Sequence, residues 1–418
     1  MLQNKYQQIS DLLLLFITFF LSNFSAFIHY IWLIPEVVLI ETAIWLIVAI
    51  VIVWILKRHG LLSVFVANLG KNWIILPFAA YAGFSIFWSV SWEISLSRWL
   101  ILLFTIITGG YIGLRYTMDE LVRYLSVFGV YILVVSSLFI LLIPDLGVMN
   151  YYTIHGAWKG LYWHKNHMGF VAAFTNTLFL INIVYSFGLK RKLALPWIPL
   201  YLFSLFFVYQ TDSVAAYITT VFLHVVIILT LLLLKYRERL RSSNYVIFGI
   251  IVIVALIVLY DNLDLFFKFF NRSPTLTGRL PMWSILFETY FSRRPVLGYG
   301  FNAFWYVGSY RVAMGLAAGY PDQIVIADNG FIDILMNTGY FGLALFLLFY
   351  FGAWARSVRY AAKAKDIIGL FPVFLMVYTL MANVSWSLIF ENEGFFMLII
   401  ISVLFCVANG SASRNQDR

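Results

Sequence analysis

Residues 261–329 read DNLDLFFKFFNRSPTLTGRLPMWSILFETYFSRRPVLGYGFNAFWYVGSYRVAMGLAAGYPDQIVIADN, the longest stretch of the chain that does not have the composition of a membrane helix. It separates two sets of strongly apolar segments. Structureless connections longer than about 12–15 residues are usually functional or disordered, and the density of aromatic residues here argues against disorder. We therefore expect this stretch to carry the chemistry of the protein.

The composition of the whole chain indicates an integral membrane protein. Of its 418 residues, 62% are hydrophobic and only 11% are charged, and a helix needs about 20 apolar residues to cross a bilayer. The sequence predicts an all-α, polytopic protein with a single membrane domain over 1–418, whose first apolar run is a retained helix rather than a signal peptide. Twelve segments are candidate transmembrane helices: 11–28, 36–56, 72–90, 97–114, 121–143, 167–188, 196–211, 213–234, 244–260, 330–352, 367–383 and 392–408.

The basic residues predict how these helices are oriented. Most of the 28 Lys and Arg residues, including Lys57 and Arg58, lie in connections on one side of the predicted membrane, and short cytoplasmic connections accumulate basic residues. Both termini are therefore expected in the cytoplasm, and residues 261–329 form an extracytoplasmic loop between the ninth and tenth helices. The net charge of +9 then reflects membrane topology, and we expect no nucleic-acid binding.

Few residues suit metal or redox chemistry. The single cysteine, Cys406, excludes a disulfide framework and a thiolate cluster. His164 and His167 are far in sequence from any carboxylate, so we expect neither a metal site nor a cofactor.

Polar residues at the outer ends of the helices are candidate ligand contacts, because ionisable groups at membrane depth normally face a cavity or a partner. In GLYWHKNHMG (160–169), Lys165 and Asn166 stand at the start of a helix. A lysine charge and amide donors there suit an anionic ligand. The alternative is that Lys165 only extends toward the membrane interface.

Several other polar groups leave two interpretations open. Asp212, in QTDS, is either an N-cap or a site residue. Glu93 and Arg98 are either a surface ion pair or part of a site, and His224 is expected to be an interhelical hydrogen-bond partner. Four residues near the last outward turn line either a cavity or the surface: Asn383, Trp386, Glu391 and Glu393.

Within the long loop, PMWSILFETYFS (281–292) predicts an amphipathic helix, because its apolar residues recur with helical spacing from Trp283 onward. Arg279 then lies just before the helix N-terminus, where its guanidinium and the backbone amides converge on one anion, and arginine suits bidentate phosphate contacts. Arg293 and Arg294, at the far end, are either phosphate contacts or a solvated pair.

The order of four motifs resembles one family. GLYWHKNHMG, TGRLPMW, RRPVLGYGFNAF and DNGFIDILMNTGYFG follow one another as in the O-antigen ligase and polysaccharide polymerase superfamily of bacterial envelopes, particularly its exopolysaccharide-polymerase-like branch. The resemblance runs from about Trp73 to Leu404. It implies a metal-independent glycosyltransferase of the cytoplasmic membrane whose donor, on the outer face, is a polyprenyl-pyrophosphate-linked glycan.

The resemblance also implies roles for individual residues. Arg279 corresponds to the family's loop arginine, a pyrophosphate contact, and Lys165 with Asn166 corresponds to its membrane-edge HKN. Asn329 corresponds to the HN that enters the tenth helix. Asp328 stands where ligases have an essential histidine, and this departure weakens the ligase assignment.

A second departure removes an expected phosphate cation, because Val214 follows Ser213 where many members have a basic residue. The catalytic requirements that remain are positioning of the substrates, cations on the phosphates and a base for the acceptor hydroxyl. Asp328 is the candidate base, and Trp283 is a candidate stacking surface for sugar rings. If Asp328 is only the N-cap of the tenth helix, the base is Glu288, Glu391 or Glu393.

The predicted partners are the lipid-linked donor, a glycan or glycolipid acceptor and the bilayer, and polymerisation of the donor is the favoured function. An O-antigen ligase would instead transfer the glycan to lipid A core or another acceptor. A glycolipid transporter or flippase is the third possibility. Transporters usually bind near the membrane midplane, however, whereas the ionisable residues here cluster at the outer ends.

Overall fold

The computed structural model describes residue 19 and residues 35–151, 154–188, 195–236, 279–318, 326–389 and 394–416. These residues are helical almost throughout, which confirms the predicted helical class, and they add one antiparallel hairpin that the sequence did not predict. The predicted helices 11–28, apart from Phe19, and 244–260 lie outside the described residues, as do residues 261–278.

The described residues form fourteen α-helices and one two-stranded hairpin. The helices are α1 (Pro35–Arg58), α2 (Leu62–Lys71), α3 (Leu76–Phe84), α4 (Trp92–Arg115), α5 (Met118–Leu142), α6 (Pro144–Gly147), α7 (Lys165–Gly188), α8 (Trp197–Gln210), α9 (Val214–Tyr236), α10 (Arg279–Ile285), α11 (Gly308–Ala318), α12 (Gly330–Ala361), α13 (Phe371–Ser385) and α14 (Phe395–Gln416). The hairpin consists of β1 (Val148–Tyr151) and β2 (Ile154–Trp158), between α6 and α7.

The described residues contain seven helices long and apolar enough to cross a membrane, or eight if α2 and the segment Trp73–Trp88, bent by 70°, count as one span. The chain is thus a multi-pass membrane protein. Two of the twelve predicted spans lie outside the described residues, and the other ten are two or three more than the described helices support, so the predicted number is too high there. Two apolar helical segments are shorter than 18 residues, α8 and the portion Phe395–Asn409 of α14. The apolar runs predicted there, 196–211 and 392–408, are themselves shorter than the about 20 residues that a span needs.

Small residues allow the central helices to approach closely. α4 packs against both α1 and α14, and Gly113 of α4 lies so near the Ser402 carbonyl of α14 that a Cβ there would collide with it. Close approach at small residues is the usual way in which membrane helices gain packing contacts. On the other side, α7 packs against α5, α8 and α9.

The segment after Arg294 inserts into a break in α12. Gly339 has φ 66° and ψ −172°, which interrupts the helix. At the break, the Tyr340 amide donates to the Pro295 carbonyl at 2.8 Å, and the Gly300 amide donates to the Asn337 carbonyl at 2.9 Å. The segment PVLGYGF (295–301) therefore satisfies backbone groups that an unbroken α12 would pair internally.

Several helix ends meet at one end of the bundle, here termed the polar end. Beside the start of α12, Asn329 Nδ2 donates to the Val384 carbonyl at the end of α13, at 3.0 Å. Just before α7, the His164 ring stacks on Trp386 with centroids 4.9 Å apart. Near the start of α4, Ser95 Oγ donates to the Phe301 carbonyl at 3.0 Å. The long loop and the starts of three helices thus share this end.

The opposite end of the bundle carries basic residues in the last turns of helices. Lys57 and Arg58 end α1, Arg115 ends α4, and Arg359 lies in the last turn of α12. This arrangement agrees with the distribution of charge from which the sequence predicted orientation.

Candidate functional site

Arg279 and Asp328 form an ion pair at the polar end. Arg279 Nε donates to Asp328 Oδ2 at 3.0 Å, and the two side chains are 18% and 28% exposed. Both groups are therefore partly shielded by protein but still reachable by a ligand. The sequence predicted them as two parts of one site, and the structure brings them into contact.

The predicted amphipathic helix is present, with a different start. α10 begins at Arg279, so Arg279 lies in its first turn rather than before it. A π-helical turn, Leu286–Tyr290, and a 3₁₀ turn, Phe291–Arg293, continue the segment. The π turn changes the helical register, and Phe287 is consequently exposed although regular spacing predicted it on the apolar face.

The backbone on either side of Asp328 is held in place. Asp328 itself has φ 53°, in the left-handed region, which aspartate tolerates better than most residues. Asn329 is the N-cap of α12, since its Oδ1 accepts from the amides of Phe331 and Ile332 at 3.0 and 3.1 Å. The alternative in which Asp328 caps this helix is therefore wrong.

Trp283 helps to hold the same turn. Its Nε1 donates to the Ala327 carbonyl at 2.8 Å, and Ala327 is fully buried. The indole that the sequence proposed as a stacking surface for sugars is thus also a structural contact between α10 and the residue that precedes Asp328.

Asp333 is a buried carboxylate that the sequence reasoning missed. It lies in the first turn of α12 and accepts from Trp305 Nε1 at 2.6 Å and from the Ala327 amide at 3.0 Å. Ser387 Oγ also donates to it. The signal in the sequence was an aspartate within an otherwise apolar run, where a charged group needs partners.

Lys165 is buried at the start of α7 and is bound by the turn before α9. Its Nζ donates to Asp212 Oδ2 at 2.7 Å and to the Asp212 carbonyl at 2.8 Å. The Lys165 side chain is 6% exposed and that of Asp212 is 57% exposed. Asp212 also has a left-handed backbone, with φ 46°. Like Arg279, this cation is paired with a carboxylate. Asn166, the next residue, is half-buried.

The last turn of α13 and the residue that follows it, Trp386, lie between the two ion pairs. Trp386 carries the stacked His164 ring, next to Lys165, while Val384 accepts from Asn329, next to Asp328. The sequence left open whether Trp386 lines a cavity or lies on the surface. Trp386 is buried, so it does not lie on the surface. Its indole Nε1 and Asn383 Nδ2 are buried and have no hydrogen-bond partner among the described residues, which leaves two donors near the polar end.

The remaining predicted arginines differ in their environments. Arg293 is exposed. Arg294 is exposed too, yet its Nη1 donates to the Trp88 carbonyl at 3.0 Å and its guanidinium lies 5.1 Å from the centre of the Tyr299 ring. Burial raises the pKa of Tyr299, so the phenol stays protonated and donates to the Tyr290 carbonyl at 2.8 Å.

Arg98 is not part of a surface pair with Glu93. It is buried, and its Nη1 lies 3.3 Å from Glu41 Oε2 of α1, which the sequence gave no reason to choose. Its Nη2 donates to the Tyr306 hydroxyl at 2.7 Å. This arginine therefore connects α4 with α1 and with Tyr306 of the long loop.

The other candidate bases are bonded elsewhere or lie outside the described residues. Glu288 is exposed and accepts from Ser284 Oγ at 2.8 Å, while Glu391 and Glu393 are outside the described residues. His224 bonds to the Tyr201 hydroxyl at 2.8 Å, as expected for an interhelical partner. Within the part of the chain that the structure describes, no group of three His, Cys, Asp or Glu residues is placed to hold a metal ion.

A comparison with known protein families finds a match for part of the chain. Residues 199–347 match the family described as O-antigen ligase. The match is shorter than the resemblance inferred from motifs, but it includes Arg279, Asp328, Asn329 and Asp333. No curated protein matches the chain.

Proposed function

From the O-antigen ligase domain at residues 199–347, which implies membrane glycan transfer by a ligase or a polymerase, we propose that this protein polymerises polyprenyl-pyrophosphate-linked glycan repeats on the outer face of the bacterial cytoplasmic membrane. The observation that carries the proposal is the Arg279–Asp328 pair: a guanidinium suited to phosphate and a carboxylate suited to accept a proton, 3.0 Å apart at the polar end.

Binding of the donor exchanges one anion for another on Arg279. In the structure, the carboxylate of Asp328 is bonded to the guanidinium of Arg279. A pyrophosphate carries more negative charge and more acceptor oxygens than a carboxylate, and its geometry also suits a guanidinium. The donor therefore displaces Asp328 from Arg279, so that the base is freed only when the donor is bound.

The chemical step then balances as a displacement at the anomeric carbon. The acceptor hydroxyl oxygen bonds to that carbon while the bond from the carbon to the pyrophosphate oxygen breaks. The electron pair leaves on the polyprenyl pyrophosphate, whose charge Arg279 and Lys165 neutralise, and the hydroxyl proton goes to Asp328. With two protein cations on the leaving group, the scheme needs no metal ion.

The remaining predicted residues serve the glycan in this proposal. Asn166 and Asn329 contact the donor near its phosphates, and Arg293 and Arg294 lie along the approach of the growing chain. The face of Trp283 is the candidate stacking surface, since its Nε1 is already bonded to Ala327 and only the ring face remains for a sugar.

Transfer to lipid A core is the alternative, and the family description favours it. Against it stands Asp328, at the position where the resemblance implies a ligase histidine. A carboxylate and an imidazole both accept a proton, but they differ in the charge they leave beside the acceptor. Either base could serve either acceptor, so the acceptor has to be identified from the product of the reaction.

The test is a reconstituted assay with a purified lipid-linked repeat as the sole substrate in proteoliposomes. A ladder of lengthening glycans with release of polyprenyl pyrophosphate is expected. Arg279→Ala abolishes the ladder, and Arg279→Lys restores little of it, because a point charge does not replace the guanidinium fork. Arg359→Ala, at the opposite end of the bundle, is the matched control and retains it.

Each other outcome names a different function. Glycan that appears only when lipid A core is added identifies a ligase. Movement of the intact lipid-linked repeat across the bilayer, without a new glycosidic bond, identifies a transporter. A full ladder with Arg279→Ala would remove the arginine from the site.

A further inference from the structure

The Asp333 carboxylate gathers donors from three separate parts of the chain. Trp305 comes from the long loop, Ala327 from the turn before α12, and Ser387 from the segment after α13. The Ala327 amide lies within reach of both oxygens, at 3.0 and 3.2 Å. The indole and peptide N–H groups both donate to Oδ1, and the Ser387 hydroxyl donates to Oδ2.

These contacts surround the candidate base without involving its side chain. The amide of Ala327 is held by Asp333 and its carbonyl by Trp283. On the other side, Asn329 is held by its capping bonds and by Val384. Asn329 uses its side chain to bond to backbone groups, whereas among the described residues the Asp328 side chain bonds to Arg279 and to no backbone group.

We propose that Asp333 is a positioning residue, which fixes the Ala327 peptide and thereby the left-handed turn that aims the Asp328 carboxylate. The inference rests on the proposed function for its kinetic consequence, but its geometric content is independent of it. A misplacement of about 1 Å at a reacting group costs up to about 10²-fold in rate. Removal of the Asp333 carboxylate should therefore lower the rate by a measurable factor.

The geometric test uses hydrogen exchange, measured by mass spectrometry on the full-length protein in detergent. Asp333→Ala removes the acceptor of the Ala327 amide, and exchange in a peptide covering residues 326–332 should quicken by about tenfold or more. Asp333→Asn retains an acceptor oxygen and should change it less. Asp366→Ala is the matched control, because Asp366 also accepts from a backbone amide, that of Gly369 at 3.0 Å, beyond the far end of α12.

The kinetic test is a double-mutant cycle with Asp328→Asn. Asp333→Ala alone should lower kcat by about 10²-fold while the KM for the donor changes less than about threefold. In the Asp328→Asn background it should cost almost nothing more, since a positioning residue acts through the residue it positions. Asp366→Ala should leave both constants unchanged.

Three results would overturn the inference. Unchanged exchange at 326–332 in Asp333→Ala would do so whatever the activity, and multiplicative losses in the cycle would show that Asp333 acts elsewhere. If Asp333→Asn alone abolished turnover as completely as Asp328→Asn, Asp333 would itself be the base.

Faster exchange in Asp333→Ala, together with a wild-type protein that elongates no glycan, supports the geometry and refutes only the proposed function.

Discussion

At the scale of single residues, Asp328 is the group on which the mechanism depends most. Asparagine also tolerates a φ of 53°, and Asn329, not Asp328, caps α12. Asp328→Asn should therefore fold normally and bind the donor, whereas turnover of the lipid-linked repeat should fall by about 10²–10⁴-fold, as is typical when a general base is lost. Glycan elongation and donor binding, measured on the same preparation, check this.

The control is Asp366→Asn, which makes the same chemical change at an exposed site beyond the far end of α12. It should elongate glycans at the wild-type rate. Near-normal turnover in Asp328→Asn would contradict the assignment and return the search for a base to Glu288, Glu391 and Glu393.

At the scale of elements, the break in α12 lets the loop dock on the bundle. Gly339 has a backbone conformation that side chains avoid, and a Cβ there would collide with the Val296 carbonyl. Gly339→Ala should cost about 1–3 kcal/mol from backbone strain alone, and it should loosen residues 295–300 from α12. A lower unfolding temperature in detergent, with reduced glycan elongation, is the expected result.

Gly70→Ala is the matched substitution, since Gly70 lies in α2 with no atom near the position of a new Cβ. It should be neutral or slightly stabilising, because alanine is favoured over glycine in a helix interior by about 0.5–1 kcal/mol. Equal stability of the two variants would mean that the docked loop contributes little to the fold.

At the scale of the whole molecule, the two ends of the bundle predict the orientation in the membrane. The polar end should face outward, because the basic last turns of α1, α4 and α12 lie at the other end. In a Cys406→Ala background, a cysteine at exposed Ser309 should react with a membrane-impermeant thiol reagent in intact cells. One at exposed Lys363 should react only after lysis.

Ser357 would be a poor site for this measurement, since it is fully buried and would stay unlabelled on either side. If Lys363→Cys were labelled in intact cells and Ser309→Cys were not, the polar end would face the cytoplasm. A reaction on the outer face would then be excluded.

The sequence by itself determined the helical membrane class, the amphipathic helix near Trp283 and the two groups, Arg279 and Asp328, that the structure brings into contact. Each of these follows from local information. Apolar length and helical spacing are properties of neighbouring residues, and each motif is a short run of residues, so these signals do not depend on how distant parts of the chain pack.

Only the tertiary structure decided which groups pair with which. Asp212 binds Lys165, Glu41 binds Arg98, and Asp333 gathers Trp305, Ala327 and Ser387. The number of spans in the described residues and the cap of α12 belong here too. A charge in a membrane bundle takes whichever partner helix packing brings within reach, and packing depends on side-chain shapes along whole helices, which no local pattern in the sequence encodes.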